Sequence, residues 1–228
     1  MLDGVMAVKY GTLLGEQKLQ SLRNMELIEG GPLEHDRYEL IQFHSHWGRQ
    51  DDKGSEHTVN GHHYASEIHF VHWNKDKCIS PQQAASQYGG LAVIGVLLEL
   101  GSENKELNKI CSALNKVALK GQELELDDPI DSERIFPKKD RTYWTYDGSL
   151  TTPPCHESVK WIIFKSPVEV SWEQLQTFRQ LSISSSPGPR QKTIVSNGRP
   201  VQPVGARIVK EVAYWAAKVP ASNVTQDE

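Results

Sequence analysis

The residues of this chain that could do chemistry are concentrated in one short window. Seven of its nine histidines lie between His44 and His72, where an even distribution over 228 residues would place about one. Imidazole is the commonest metal-ligating side chain and the one that exchanges protons near neutral pH. The window therefore predicts either a metal site or a site of proton transfer.

The spacing of the histidines favours a metal. His44 and His46 are two residues apart, and residues two apart on a strand point to the same face. His69 follows Glu67 in a second strand-like run, and a neighbouring strand there would bring a third imidazole to the same point. Three protein ligands with an open fourth position are how a catalytic zinc ion is held. The alternative is that these are buried or surface histidines without a metal, which is common for a lone His-x-His pair.

The alternation along the two runs is consistent with this arrangement. Each run presents polar groups on one face and apolar residues on the other. Gln42 and Glu67 fall on the histidine face, where either side chain could hold the outer nitrogen of a ligating imidazole and fix its tautomer. Val71 shares that face, and the opposite faces carry Ile41, Phe43, Trp47, Ile68 and Phe70.

The donor set predicts zinc. Three neutral imidazoles without an anionic ligand suit zinc or copper better than non-haem iron, which prefers a carboxylate. A structural zinc site would be closed and rich in thiolate, whereas Cys78, Cys111 and Cys155 show no C-x-x-C spacing. An open, all-histidine zinc site is the better interpretation.

A second group of candidate residues lies much further along the chain. The run YWTYDGSLTTPP covers residues 143–154 and ends in two prolines, which cannot continue a helix or donate to a sheet. Thr151 and Thr152 would therefore lie beside a rigid loop as a hydrogen-bonding station. Taken alone, such a motif is more often only a turn.

Together these segments resemble the alpha-class carbonic anhydrases. The motifs are IQFHSHWG at 41–48, GSEHTV at 54–59, EIHFVHWN at 67–74 and GSLTTPP at 148–154. The segments 90–95 and 197–203 fit the same family, and the resemblance runs from about Gly30 to about Val212. The motifs occur in the family's order, so the resemblance is specific.

The resemblance implies reversible hydration of carbon dioxide to bicarbonate and a proton by zinc-bound hydroxide. Zinc in this family is known to lower the pKa of its bound water to ~7. His44, His46 and His69 correspond to the zinc ligands. Thr151 corresponds to the hydroxyl that accepts a hydrogen bond from the hydroxide, and Glu56 to the carboxylate that takes the proton of Thr151.

The resemblance also implies a substrate wall and supporting groups. The wall that holds carbon dioxide corresponds to Val71, Val93, Leu150, Val159 and Trp161, with Thr152 at a position that contacts bicarbonate or inhibitors. Gln42, Glu67 and the backbone carbonyl of Asn197 correspond to the groups behind the three ligands. Sulfonamide-type inhibitors are expected to bind.

The chain departs from the family at its start and at two inner positions. Residues 1–30 do not match the family's N-terminal segment, which carries aromatic residues and often a proton-shuttling histidine. No histidine precedes His35, and no shuttle is assigned. Ser45 and Gly198 stand where aromatic residues are expected, which predicts looser packing behind the site. We expect a diverged segment at 1–30, the carbonic-anhydrase-like domain at 31–212 and a tail at 213–228.

The remaining histidines are expected to be structural or exposed. His57 and His72 correspond to buried structural positions in the family. His62 and His63 follow Asn60-Gly61, a hairpin signal, and are expected to lie in an exposed turn.

The scaffold pattern predicts a single α+β domain. The apolar run from Leu91 to Leu98 predicts a buried strand, and apolar spacing predicts an amphipathic helix over 103–119. Ser171 and Gln174 form a capping-box pattern, which predicts a helix that buries Trp172, Leu175 and Phe178. The resemblance implies a large twisted, mostly antiparallel sheet with short peripheral helices.

Composition and charge limit the kinds of binding partner that are expected. A net charge of −4 and a pI of about 6.1 argue against a nucleic-acid partner. The longest apolar run has eight residues, too short for a transmembrane segment. A small-molecule substrate and a monomer are expected. With no leader pattern and three cysteines, a cytoplasmic location is expected; an extracellular one is the alternative, because Cys155 corresponds to a disulfide-bonded position in secreted members.

Two other classes were weighed. A zinc-binding but catalytically weak, carbonic-anhydrase-related binding module usually lacks one or more of the three histidines, and all three are present here. A cupin-like metalloenzyme also uses His-x-His on a strand, but it expects a glutamate a few residues later and leaves residues 149–154 unexplained.

Overall fold

A twisted mixed sheet dominates the protein. The computed structural model describes residues 6–9, 22–23, 27–122, 124, 126, 128–189 and 191–213. The strands are β1 Met6–Lys9, β2 Leu22–Arg23, β3 Leu27–Ile28, β4 Tyr38–Trp47, β5 Ser66–Asn74, β6 Leu91–Leu100, β7 Ile130–Asp131, β8 Tyr143–Gly148, β9 Val159–Phe164, β10 Val168–Val170 and β11 Lys210–Val212. The helices are α1 Pro81–Ser86, α2 Lys105–Leu114, α3 Ser132–Ile135 and α4 Trp172–Arg179, with a 3-10 turn at Gly31–Leu33.

The strand order confirms the predicted fold class. Within the described residues, nine strands form one sheet in the order β1-β4-β5-β6-β9-β8-β11, with β3 beside β4 and β10 beside β6. The pairs β6–β9 and β6–β10 are parallel, and the other pairs in this sheet are antiparallel. β2 and β7 form a separate parallel pair.

The two faces of the sheet bury different sets of side chains. One face packs against α2, α3 and α4 in the main core, where Phe43 stacks on Phe70 at 5.6 Å between ring centroids. The other face carries the smaller cluster around Val71, Val93 and Trp161. Because successive side chains of a strand point to opposite faces, β4, β5 and β6 can serve both clusters.

One alternation prediction is wrong. Ile41 packs with the cluster around Val71, on the face that it was expected to leave. The register between β4 and β5 shifts between Leu40 and Gln42, and an irregularity of this kind re-aims a side chain. The other apolar positions of the two runs, Phe43, Trp47, Ile68 and Phe70, lie in the main core as expected.

Both predicted helices form, but α2 does not have the predicted length. α2 is shorter than the predicted 103–119 and begins at the Asn104 side chain, which accepts the N–H groups of Glu106 and Leu107. The capping box between Ser171 and Gln174 is present.

The prediction for Trp172 is wrong, because its side chain is 52% exposed. Side chains three residues apart are offset by about 60° around a helix. Trp172 is therefore rotated away from the face that buries Leu175 and Phe178.

The turn after Val59 also forms as predicted. Asn60 and Gly61 have φ values of 52° and 79°, and Val59 pairs with His62. His62 is exposed, but His63 is half-buried. In the part of the chain that the structure describes, no helix is long and apolar enough to cross a membrane.

The boundaries at residues 30 and 212 stay predictions. Of the segment 1–30, only residues 6–9, 22–23 and 27–30 are among the described residues, and of the tail 213–228 only residue 213.

Candidate metal centre

The two central strands bring the three predicted ligands together. His44 and His69 are directly opposed in the β4–β5 register, and His46 follows two residues along β4. One ligand nitrogen from each imidazole lies within 4.8 Å of the others, and all three rings are buried. The cluster arises from strand geometry, since antiparallel neighbours place opposed side chains on one face.

Two of the three imidazoles are held by a partner behind them. His44 Nδ1 lies 2.8 Å from Gln42 Oε1, and His69 Nε2 lies 2.7 Å from Glu67 Oε1. A carboxylate or amide oxygen can only accept, so each of these ring nitrogens carries the proton. The opposite nitrogens, Nε2 of His44 and Nδ1 of His69, are thereby left as lone-pair donors for a metal.

His46 is held from the neighbouring loop. Its ring nitrogens have no hydrogen-bond partner at good geometry among the described residues. The backbone of Asn197 lies beside the ring and favours its protonated form. The Asn197 side chain grips the strand on both sides of His46, since its Oδ1 accepts Trp47 N at 2.8 Å and its Nδ2 donates to Ser45 O at 3.0 Å.

Burial keeps the imidazoles in the state that a metal requires. It lowers the pKa of His44 well below its usual range and the pKa of His46 to about 3. The rings of His44 and His46 are therefore neutral at neutral pH, and only a neutral ring can donate a lone pair to a metal.

The Glu67 carboxylate accepts hydrogen bonds from several groups around the centre. Its Oε2 accepts the backbone N–H groups of Glu56 at 2.9 Å and His57 at 2.8 Å. Its Oε1 accepts ring nitrogens of His57 at 2.6 Å and His69 at 2.7 Å. Burial alone would raise the pKa of Glu67, but the two histidines hold it well below its usual range. The group is thus a fully buried carboxylate with four N–H donors.

Glu56 approaches the centre from the loop after β4. Its Oε1 accepts the backbone N–H of Arg199 at 2.7 Å, and its Oε2 lies 3.3 Å from His46 Nε2 and 4.0 Å from His69 Nδ1. Burial raises the pKa of Glu56, while His69, the backbone N–H of Arg199 and the Thr151 hydroxyl act the other way. The Thr151 hydroxyl therefore lies near enough to Glu56 to favour the ionised carboxylate.

The residues present fit a metal cation. Both ring nitrogens of His46 and Oε2 of Glu56 are buried without a hydrogen-bond partner among the described residues. Buried polar groups are normally satisfied, so this group of atoms around three clustered imidazoles is suited to binding a cation. Three nitrogens without a thiolate suit an open zinc site.

The predicted apolar wall also assembles. Val71, Val93, Val159 and Trp161 are buried in one cluster, and Leu150 packs against it. The Trp161 ring lies 4.8 Å from the His69 ring, and its Nε1 donates to Ser149 O at 3.1 Å. Thr152 is half-buried in the loop that carries Thr151. The apolar cluster therefore lies directly beside the three imidazoles.

Gly95 shows how closely this region is packed. It pairs with His69 across β5 and β6. A Cβ atom added there would lie 2.5 Å from Ile163 Cδ1 and 3.2 Å from Glu67 Oε1. A larger residue at this position would press on Ile163 and on the carboxylate that contacts His69.

The two positions where the family has an aromatic residue differ in their burial. Ser45 is buried in β4, whereas Gly198 is exposed, and a Cβ atom there would lie 3.5 Å from Glu56 Cγ.

Of the two histidines that were expected to be buried, His72 is fully buried. His57 is not, since its side chain is 20% exposed. The three cysteines, Cys155 included, are free.

Three contributions were missed at the level of sequence. Arg199 lies within the quoted segment 197–203, but nothing in the pattern shows that its backbone N–H holds Glu56. His57 was assigned to packing, yet it bonds Glu67 and, at 2.6 Å, Tyr146 Oη. The Asn197 side chain was missed because only its carbonyl was considered.

Most of the chain is similar to known proteins of one family. The family model described as eukaryotic-type carbonic anhydrase matches residues 15–213. Carbonic anhydrase 1 of Mus musculus is 46% identical over 187 residues, which is 82% of this chain and 70% of that protein. Mitochondrial carbonic anhydrase 5B of Mus musculus is 49% identical over 81% of this chain and 57% of its own length. Carbonic anhydrase 3 of Homo sapiens is 45% identical over 81% and 69%. The chain therefore spans between 57% and 70% of the length of these relatives.

Proposed function

The chain belongs to the eukaryotic-type carbonic anhydrase family, and on that premise we propose that it reversibly hydrates carbon dioxide to bicarbonate and a proton. The observation that carries the proposal is the cluster of three buried imidazoles, whose ligand nitrogens lie within 4.8 Å of one another, beside the buried carboxylate of Glu56. Each group alone occurs in many proteins. Their combination fits hydration at a metal.

We propose that His44, His46 and His69 hold a zinc ion. When bound, zinc would lower the pKa of a coordinated water to ~7 and so supply a nucleophile at neutral pH. Gln42 and Glu67 fix the tautomers of two ligands, and Asn197 braces the strand around the third. Such supporting groups typically change metal affinity 10–100-fold when mutated.

In this proposal Thr151 and Glu56 orient the nucleophile. The Thr151 hydroxyl donates its proton to Glu56, so its oxygen is left only as an acceptor. A nucleophile that donates to that oxygen has its own hydrogen turned away from the substrate and a lone pair turned toward it. The Arg199 backbone N–H at 2.7 Å keeps the Glu56 carboxylate in position.

In this proposal carbon dioxide binds at the apolar wall before it reacts. Carbon dioxide offers little to hydrogen-bond, so an apolar surface beside the metal is the suitable place for it. Val71, Val93, Leu150, Val159 and Trp161 form that surface. Thr152 is proposed to contact the bicarbonate product. The released proton passes to solvent buffer in this proposal, since no residue of the chain is assigned as a shuttle.

The remaining expectations stay predictions. A cytoplasmic location, a monomeric state and inhibition by sulfonamides belong to this proposal, and one relative is named as mitochondrial.

Stopped-flow hydration of carbon dioxide tests the proposal on the full chain, with zinc content measured on the same sample. We expect activity that scales with bound zinc and rises with buffer concentration, since buffer must remove the proton. Full zinc occupancy without hydration would contradict the proposal and favour a zinc-binding module. An inability to bind zinc would contradict both.

A further inference from the structure

An open cavity lies next to the centre, apart from the three candidate ligand imidazoles. Its volume is about 580 Å³. Trp144, Tyr146 and Trp161 form its aromatic wall, and Val201, Val204 and Val209 line it from the segment before β11. Among the described residues, none of the three candidate ligand histidines lines it, whereas Glu56 and Thr151 do. The cavity therefore borders Glu56 and Thr151 but not the three candidate ligands.

The charged groups of this cavity carry a positive excess. The Arg207 guanidinium lies 5.5 Å from the Tyr146 ring centroid and donates to the backbone carbonyls of Val204 and Pro203. In the part of the chain that the structure describes, neither Arg207 nor Arg199 has a carboxylate within ion-pair distance of its guanidinium. Both arginines line the cavity.

Besides the two arginines, the cavity is lined by one ion pair and one further carboxylate. Lys165 pairs with Glu211 at 2.7 Å. Glu56 contributes one negative charge, and it is held by the Arg199 backbone N–H and Thr151. Two unpaired guanidinium groups thus face one carboxylate that is already bound, so the net field in the cavity favours an anion.

The size and wall of the cavity define the rest of the ligand. Pockets of roughly 300–1,000 Å³ with apolar walls and a few polar groups are typical of small-molecule sites. Flat aromatic walls favour a flat apolar body, and a guanidinium group binds a carboxylate in a planar, bidentate manner. The wall is also unusually open, since Val201, Val204 and Val209 are each about half exposed (49%, 57% and 48%).

We propose that this cavity binds a small aromatic monocarboxylate, with the ring against Trp144 and Tyr146 and the carboxylate at Arg207 or Arg199. The site is distinct from the proposed carbon dioxide wall, although Trp161 contributes to both. Because Glu56 and Thr151 form its boundary with the centre, the occupied cavity is expected to change the hydration rate. The binding itself does not depend on the proposed reaction.

The test uses 2-naphthoate as probe and its neutral isostere 2-naphthamide as control, by isothermal titration of the zinc-loaded full chain. The titration is repeated with a saturating sulfonamide, which would occupy the metal. Val209→Asp places a negative charge in the cavity, and Ile208→Asp is its matched control, since Ile208 is 75% exposed and does not line the cavity. Both positions are exposed enough for the variants to fold, which near-ultraviolet circular dichroism verifies.

We expect one site of about millimolar affinity or tighter, in line with the efficiency of small ligands. Binding should persist with sulfonamide, weaken about ten-fold or more for 2-naphthamide and for Val209→Asp, and stay unchanged for Ile208→Asp. Loss of binding on adding sulfonamide would place the carboxylate on the metal and overturn the proposal. Equal affinity for the amide, or equal effects of the two aspartates, would also overturn it.

Discussion

Replacing Glu67 by glutamine should weaken metal binding although only one atom is exchanged. Four N–H groups point at its two oxygens, two from the backbone of Glu56 and His57 and two from the rings of His57 and His69. A glutamine amide has one acceptor oxygen, so its NH₂ group must face two N–H donors in either orientation. If it faces the rings, His69 is driven toward the tautomer that places a proton on its metal-facing nitrogen.

The magnitude follows from these contacts. Loss of an orienting partner of this kind costs 10–100-fold in metal affinity, or about 1.4–2.7 kcal/mol. Two buried donors left without an acceptor cost roughly 1–3 kcal/mol each. The free energy of unfolding of the metal-free Glu67→Gln variant should therefore fall by about 2–6 kcal/mol.

Glu106→Gln is the matched control. Glu106 is 2% exposed and accepts Asp131 N at 2.7 Å and Lys109 Nζ at 2.9 Å, away from the three histidines. It should lose stability without losing zinc affinity. Zinc affinity is measured by competition with a chelator of known affinity, on samples shown to be folded by near-ultraviolet circular dichroism. Unchanged affinity in Glu67→Gln, or an equal loss in Glu106→Gln, would refute the reasoning.

The other predictions concern the relay, the packing and the pH dependence. Thr151→Ala should keep zinc by the same chelator assay but lose roughly 10²–10³-fold in hydration rate, since it removes an orienting group; equal loss of zinc would refute its assigned role. Gly95→Ala should lower the free energy of unfolding by about 1–3 kcal/mol through overpacking, whereas Gly188→Ala, where an added Cβ meets nothing within 4 Å, should change it little in denaturant titrations. The buried imidazoles of His44 and His46 have folded pKa values below the ~6.5 of the unfolded chain, so the unfolded state binds more protons at these two residues. The stability of the metal-free protein should thus fall as pH drops below ~6.5, by up to about 1.4 kcal/mol per pH unit for each imidazole. His44→Gln should reduce this slope, and an unchanged slope would refute the assignment.

The local parts of the protein could be predicted from the chain alone. The two-residue period of a strand put His44 and His46 on one face, and the third imidazole required only that the run around His69 be the next strand. The capping box at Ser171 and the turn at Asn60-Gly61 depend on backbone chemistry within four residues. The family resemblance added an expectation that local patterns do not contain, the proposed pairing of Thr151 with Glu56.

The errors arose where an outcome depends on neighbours. The direction of Ile41 is set by an irregularity between β4 and β5, and periodicity cannot reveal a change of register. Trp172 follows helical spacing approximately, but only the packed helix shows which residues its stripe reaches. The partial exposure of His57 likewise depends on the cavity beside it.

The sequence by itself determined which groups can bind a metal and which strand face they share, because both follow from side-chain type and from a period of two residues. Only the tertiary structure decided how those groups are held. Arg199 reaches Glu56 across 143 residues, and Asn197 reaches Ser45 across 152. Such contacts, like the cavity beside Glu56, exist only where distant segments pack together, and no local pattern encodes the position of one segment relative to another.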